Sequence, residues 1–190
     1  MKKEIRVIGI DDSPFNKFKK SNVLVIATLF RGGTSIDGIL STKVRTDGTN
    51  STKKLIEMIN KCRFKPQIQA ILLDGIALAG FNIIDIKELN KKTRIPVIVV
   101  IRKYPDFKKI KNTLIKLKKQ HKYKLIEKAG PVTKVYSIYI QTKGITLTEA
   151  KEILKISHAF VTHTHMDHFI GFDTVLRIFL GRDKEIHLFG

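Results

Sequence analysis

The 190-residue sequence is poor in acidic residues, has a single cysteine and contains no long apolar run. Because Cys62 has no partner in the chain, an internal disulfide is excluded, which fits a reducing compartment, and we expect a cytoplasmic protein. No stretch approaches the roughly 18 unbroken apolar residues of a membrane span, and we expect no membrane partner. The first residues, MKKEIRVIGIDD, lack a small-residue cleavage site and predict a first β-strand rather than a signal peptide.

The scarcity of acids leaves the chain strongly basic. It has 36 Lys and Arg against 17 Asp and Glu, a formal net charge of +19. Such a balance favours polyanionic partners, with nucleic acid first and an anionic membrane surface second. A thermophilic surface rich in ion pairs would carry Glu in numbers similar to Lys, and this sequence does not. We therefore expect a nucleic-acid partner, and nothing in the sequence indicates an obligate protein partner.

Charge and histidine are unevenly distributed along the chain. Residues 158–190 contain three basic and four acidic residues, a net charge of −1, and they hold five of the six histidines. The residues before them therefore carry the whole positive excess. This change predicts a boundary near Ser157, with one domain over residues 1–156 and a separate segment over residues 157–190.

Apolar spacing and turn residues predict an alternation of strands and helices. The predicted elements are a strand over 4–11, a hairpin over 22–30 and 34–44, a helix from 50 or 51 to about 61, a strand over 69–73, a helix over 82–92, a strand over 96–101, a helix over 108–124, a strand over 135–141 and a helix over 146–155. This order predicts an α/β fold with a mixed sheet and flanking helices. An RNase H-like layout fits the order, although other α/β folds fit it too.

Two acidic residues end predicted strands. Asp11 ends the first strand and Asp74 ends a short apolar one, and ligands of α/β sheets gather at the carboxyl ends of strands. If the two strands are neighbours, the carboxylates converge and can hold a hard divalent ion such as magnesium. The alternative is structural, because Asp-Asp and Asp-Gly pairs are also common turn and cap residues.

The predicted helix over 108–124 contains eight lysines and no acid. Its apolar residues recur near helical spacing, which predicts an amphipathic helix with a basic, solvent-facing stripe. We expect this stripe to contact phosphates through Lys108, Lys111, Lys118 and Lys122.

Five blocks of the sequence resemble the endonuclease dU family, and they occur in the same order as in that family. The blocks are GIDDSPF, DGTNSTKKLIEMI, LLDGIALAGFNIIDI, RIPVIVVIRKYPD and GPVTKVYSIYIQTKGITLTEAKEIL. Together they span about the first 156 residues. The family is in turn similar to endonuclease V, so the resemblance implies an RNase H-like fold.

The resemblance also implies a metal site. A strand-ending Gly-Val-Asp and an Asp-Gly block of endonuclease V correspond to the segments that hold Asp11 and Asp74, which makes these two the implied magnesium ligands and catalytic residues. Asp47 is a candidate third ligand by order alone. Asp12 and Asp85 are weaker candidates, and strand alternation turns Asp12 to the face opposite Asp11.

The activity implied by the resemblance is magnesium-assisted cleavage of DNA at or near a deaminated base, deoxyuridine by the family name. Such a base must be flipped or already unstacked to be recognised. Phe15 and Tyr104, each beside a proline in a predicted loop, could stack on bases or wedge between them. Loop aromatics more often cover the edges of a core.

The last segment carries a different motif. His163, His165, Asp167 and His168 form an HxHxDH pattern that resembles the metallo-β-lactamase fold, and the surrounding residues are similar to its ribonuclease Z-like hydrolases. In that family the four side chains bind two zinc ions. The remaining zinc ligands and the strands before the motif are missing from residues 157–190, so the resemblance implies an incomplete zinc site.

Three functions remain open at this point. The leading hypothesis is a metal-dependent DNA repair endonuclease. The second is a non-catalytic nucleic-acid-binding protein whose Asp11–Asp74 site has decayed, and magnesium-dependent nicking separates the two. The third is a zinc-dependent hydrolase that uses the last segment, and we rank it lowest because its site is incomplete.

Overall fold

The computed structural model describes residues 5–32 and 35–156. The strands within them are β1 (Arg6–Asp12), β2 (Asn22–Arg31), β3 (Ser35–Arg45), β4 (Ile68–Asp74), β5 (Ala77–Leu78), β6 (Asn82–Ile83), β7 (Val97–Ile101), β8 (Thr133–Val135) and β9 (Ile138–Lys143). The helices are α1 (Ser51–Asn60), α2 (Ile86–Thr93), α3 (Phe107–Lys116), α4 (Tyr123–Lys128) and α5 (Leu147–Ile156). Seven strands form one mixed sheet in the order β3-β2-β1-β4-β7-β9-β8, and β5 and β6 form a small hairpin.

The centre of the sheet is made of three parallel strands. β1 pairs with β4, and β4 pairs with β7, all in the same direction. β2 runs antiparallel beside β1 and continues into β3, which confirms the predicted hairpin. The carboxyl ends of β1, β4 and β7 therefore lie at one edge of the sheet, which we call the carboxyl edge.

Alternating residues of the strands face two hydrophobic clusters. From β1, Ile8 and Ile10 join the larger cluster with residues of α1 and α2. Val7 points the other way and packs in the second cluster, which includes Ile153 of α5. Burial of both faces explains the nearly unbroken apolar runs of β4 and β7, as expected for the central parallel strands of a covered sheet.

The predicted closing helix is confirmed, and its N-terminus has a reciprocal cap. The backbone N–H of Thr146 donates to Glu149 Oε2 at 3.0 Å, and the backbone N–H of Glu149 donates to the Thr146 hydroxyl oxygen at 3.3 Å. This capping box satisfies backbone donors that a helix start leaves unpaired.

The predicted helix over 108–124 is wrong in its length. α3 ends at Lys116, because the backbone of Lys118 is left-handed (φ +55°) and the N–H of Lys119 turns back to the carbonyl of Leu114 at 2.7 Å. The chain then passes through a 3-10 turn into α4. This break lets Leu114 of α3 and Ile126 of α4 pack in one cluster.

The predicted helix over 82–92 is also too long. Asn82 and Ile83 pair with β5, and the helix begins only at Ile86. The Asp85 carboxylate caps it by accepting the N–H groups of Lys87 and Glu88 at 3.0 Å. Asp85 therefore holds the start of α2, which is the typical role of Asp at this position.

No helix within residues 5–32 and 35–156 combines the length and the apolar character that a membrane crossing needs. The HxHxDH motif and the rest of the predicted segment 157–190 lie outside the described residues.

Candidate active site

Asp11 and Asp74 end neighbouring parallel strands. Ile10 of β1 lies in register with Leu73 of β4, so the next residue of each strand brings the two carboxylates to the carboxyl edge side by side. Burial raises the pKa of Asp11 to about 8, and the negative charge of Asp74 adds to the rise. Burial also raises the pKa of Asp74. The two acids thus occupy a site that favours a compensating cation.

Asp12 extends the group of acids at this edge. Its Oδ2 accepts the backbone N–H of Ala79 at 2.7 Å, and its own N–H donates to Asp11 Oδ1 at 2.8 Å. The pKa of Asp12 is raised, mainly by burial and also by the charge of Asp74. Although Asp12 contacts a residue of the larger core cluster, its charge still acts on the Asp11–Asp74 pair.

Arg102 is a member of this site that the sequence did not predict. It follows β7 directly, and its Nη2 lies 2.5 Å from Asp74 Oδ2. The guanidinium opposes the effect of burial on the pKa of Asp74. The Arg102 side chain is 57% exposed, so it can exchange Asp74 for an anion from solvent. A basic residue at the carboxyl end of the next parallel strand is the sequence pattern that indicates such a contact.

Asp47, the candidate third ligand, belongs to a different cluster. Its Oδ1 accepts the N–H of Phe81 at 2.8 Å, and its Oδ2 pairs with Lys119 Nζ at 2.7 Å. Burial acts to raise the pKa of Asp47, but these contacts lower it overall. Both carboxylate oxygens of Asp47 are therefore bonded to groups other than the Asp11–Asp74 pair.

Lys122 is buried, which corrects its predicted place on a solvent-facing stripe. The residue is only 4% exposed. Its Nζ donates to three backbone carbonyls, of Asp47 at 2.7 Å, Gly48 at 2.5 Å and Phe81 at 2.7 Å. The ammonium group joins the loop after β3 to the loop between β5 and β6, and it is not available to a phosphate.

We expect Lys122→Met to destabilise the fold. The change leaves three carbonyls without their donor, and losing one side of a buried polar contact costs about 3 kcal/mol. Urea unfolding at pH 7 measures the difference. Lys124→Met removes a neighbouring exposed lysine and should change the free energy of unfolding little. Equal unfolding midpoints for the two variants would contradict the structural role of Lys122.

The remaining predicted lysines are exposed. Lys108 and Lys111 lie on α3, and Lys118 lies at the turn that follows it. α3 and α4 pack against residues of the loop that follows Asp74, among them Ile76 and Phe81. The helices that carry the exposed lysines are therefore packed against the loop that leaves the carboxyl edge after Asp74.

The carboxylates of Asp11 and Asp74 fit a hard cation that takes its remaining ligands from water and a substrate. No three or more His, Cys, Asp or Glu side chains among residues 5–32 and 35–156 are grouped closely enough to hold a metal by themselves. Magnesium is commonly bound by one or two carboxylates together with water and substrate phosphate, which matches the Asp11–Asp74 pair. Gly75 leaves open space beside Asp74, since apart from Gly75 and its two chain neighbours no heavy atom of the protein lies within 4 Å of the position that a Cβ would take.

A family model described as endonuclease dU matches residues 3–163. The chain belongs to the endonuclease dU family. Two curated relatives illustrate the similarity. The UPF0215 protein of Methanothermobacter thermautotrophicus is 46% identical over 167 residues, and the alignment covers 83% of this chain and 79% of the relative. The UPF0215 protein MK0057 of Methanopyrus kandleri is 37% identical, covering 90% and 91%.

A solved structure has the same fold. It is the crystal structure of a protein of unknown function from Archaeoglobus fulgidus, with a TM-score of 0.75 and 37% identity, covering 80% of this chain and 86% of that one. The endonuclease dU match runs past the predicted boundary at Ser157 to residue 163, the first histidine of the HxHxDH motif. None of these matches supports a metallo-β-lactamase-like segment.

Proposed function

We propose that this endonuclease dU family protein is a magnesium-dependent endonuclease that cleaves DNA at or near a deaminated base, with deoxyuridine as the first lesion to test. The observation that carries the proposal is the pair Asp11–Asp74, side by side at the carboxyl edge with raised pKa values in a chain of net charge +19. The order β3-β2-β1-β4-β7, with a hairpin beside three parallel strands, supports an RNase H-like assignment of the sheet.

Asp11 and Asp74 would hold the magnesium ion. A magnesium ion held there would supply positive charge at the scissile phosphate and would help to activate a water molecule as the nucleophile. Arg102 would leave Asp74 for a phosphate oxygen, since guanidinium groups bind phosphate and carboxylate in the same way. Gly75 would let the nucleic-acid backbone approach the carboxylates closely, because it presents no side chain there.

The direct test is a nicking assay on matched DNA strands that carry one uracil, one hypoxanthine or no lesion. With magnesium we expect cleavage near the deaminated base, and with EDTA we expect none. If the wild-type protein cuts no deaminated substrate, the second candidate gains support, a non-catalytic nucleic-acid-binding protein. The Arg102–Asp74 ion pair favours that candidate, since it engages one of the two carboxylates.

DNA binding should be electrostatic and centred on the exposed lysines. Replacing Lys108, Lys111 and Lys118 with Glu should weaken binding to all sequences alike. Each lysine that contacts a phosphate contributes about 0.9 to the slope of log affinity against log salt, so the slope should become shallower. Fluorescence anisotropy in EDTA, repeated at several salt concentrations, measures both effects.

The matched control reverses three exposed lysines at the opposite edge of the sheet. Lys61, Lys91 and Lys92 lie at the ends of α1 and α2, just before the amino ends of β4 and β7. Changing these three to Glu removes the same charge but no predicted phosphate contact. If both triple variants lose affinity equally, net charge alone explains binding, and Lys108, Lys111 and Lys118 do not form a specific DNA contact surface.

A further inference from the structure

An exposed aromatic ring lies in the loop that follows β1, the strand that carries Asp11. Phe18 is 89% exposed and lies in the loop between β1 and β2. The backbone forms a turn at this point, in which the N–H of Phe18 donates to Asn16 Oδ1 at 2.9 Å and the N–H of Lys19 donates to the Asn16 carbonyl at 3.1 Å. Phe15, in the same loop, packs against the larger core cluster instead. The fold thus partly buries Phe15 and leaves Phe18 exposed to solvent.

A second exposed ring follows β7. Tyr104 is 59% exposed and lies two residues after Arg102, the partner of Asp74. Its ring makes T-shaped contacts with Phe107, at a centroid distance of 6.0 Å, and with Tyr139, at 5.3 Å. These contacts fix the position of the tyrosine while much of it remains in solvent.

Basic residues lie beside both rings in the chain, and the one acid close to either ring in sequence is Asp106, two residues after Tyr104. Phe18 has Lys17, Lys19 and Lys20 as neighbours in the chain, and Lys17 Nζ lies 5.2 Å from its ring centroid. The loop over residues 13–21 contains no acid. Arg102 and Lys103 precede Tyr104 in the same way. Exposed rings among cations are the arrangement with which proteins bind single-stranded nucleic acid, since bases stack on the rings and phosphates meet the cations.

The sheet order places β4, the strand that ends in Asp74, between the two strands whose following loops carry the rings. The loop with Phe18 follows β1, and the loop with Tyr104 follows β7. β4, which ends in Asp74, lies between these two strands. Because neighbouring strands are about 5 Å apart, β1 and β7 are separated by roughly 10 Å. A single strand that crosses the carboxyl edge can therefore meet one ring, the acidic pair and the other ring in turn.

From these observations we propose that Phe18 and Tyr104 are stacking platforms for unpaired bases on either side of the Asp11–Asp74 pair. The substrate class is then single-stranded or locally melted DNA, because stacking between neighbouring base pairs in an intact duplex covers the faces of the bases. The position of the cut between the rings rests on the proposed function. The stacking itself does not, and it can be measured without cleavage.

Binding in EDTA tests the stacking directly. We expect the wild-type protein to bind a 20-nucleotide single strand more tightly than a hairpin duplex of the same composition. Phe18→Ala and Tyr104→Ala should each weaken single-strand binding about tenfold, and duplex binding much less. Phe18→Leu should behave like Phe18→Ala, because it keeps apolar surface without a ring, whereas Tyr104→Phe should bind as the wild type does.

Single-tryptophan variants supply a second readout. The chain contains no tryptophan, so Phe18→Trp and Tyr104→Trp each introduce a single tryptophan, which can be excited apart from the four tyrosines, at a proposed platform. Single-stranded DNA should quench both, and duplex should not. Leu147→Trp is the control, since Leu147 is 41% exposed and begins α5, just after the end of β9 at the opposite edge. Its emission should not change.

Two results would overturn the stacking proposal. One is unchanged single-strand affinity in both alanine variants, and the other is tryptophan emission at positions 18 and 104 that is not quenched when the DNA saturates the protein. The outcome separates from that of the proposed function. A protein that never nicks DNA but loses single-strand affinity on loss of either ring would refute the endonuclease and support the platforms. A protein that nicks uracil-containing DNA equally well with and without the rings would support the endonuclease and refute the platforms.

Discussion

Asp11→Asn and Asp74→Asn should each reduce nicking of uracil-containing DNA by about a thousandfold or more. The change keeps the size of the side chain and removes the charge that holds a hard cation. DNA affinity in EDTA should hold or rise, because a carboxylate that repels phosphate is gone. The measurements are single-turnover nicking in magnesium and anisotropy with the same strand.

The Asp85→Asn variant is the matched control for this pair. It makes the same chemical change in a carboxylate that caps α2 and contacts Lys128, so it should affect stability more than the rate of cleavage. Retention of magnesium-dependent nicking by both Asp11→Asn and Asp74→Asn would exclude the pair as the metal site. Asp12→Asn should have an intermediate effect, since its charge acts on the pair while its oxygen is bonded to Ala79.

The metal-free protein should lose stability as pH rises. The pKa of Asp11 is raised from 3.8 in the unfolded chain to about 8 in the fold, so between these values the folded state keeps a proton that the unfolded state has lost. Stability is then highest near the lower pKa and falls through the window, by at most about 1.4 kcal/mol per pH unit. Above pH 8 the dependence on Asp11 ends.

Urea unfolding in EDTA between pH 5 and 8.5 measures this dependence, and the difference between wild type and Asp11→Asn isolates it from other groups. Asp11→Asn should be the more stable protein at pH 8, and the advantage should shrink towards pH 5. Magnesium should raise the stability of the wild type at pH 8 and leave the variant nearly unchanged. Parallel pH curves for the two proteins would show that Asp11 is ionised in the fold.

The arrangement of the carboxylates follows from features that a sequence makes visible. Two apolar runs that each end in Asp predict strands whose ends meet, provided that the strands are parallel neighbours, and β1 and β4 are. The hairpin was predictable from its glycine turn, and α5 from the Thr146 and Glu149 pair that caps it. These are local patterns, and the fold preserves them.

The features that the sequence does not predict depend on contacts between distant parts of the chain. Nothing in a run of eight lysines distinguishes Lys122, whose three acceptors lie 41 to 75 residues away. The left-handed turn at Lys118 has no glycine to indicate it. Asp47 matched a ligand position by order but pairs with Lys119, 72 residues away. Phe18 has no signal of its own in the sequence, because a ring inside a lysine cluster fits neither a helical nor a strand pattern.

The buried ammonium of Lys122 has a consequence for how variants of this protein would be sorted in a cell. A substitution there would lower the number of folded molecules, since unfolded chains are removed by proteases, while each surviving molecule keeps its carboxylates and exposed lysines. A screen that scores total activity would therefore place Lys122 in the DNA interface together with Lys111. Only activity divided by the amount of folded protein would separate a lysine that holds two loops together from one that meets a phosphate.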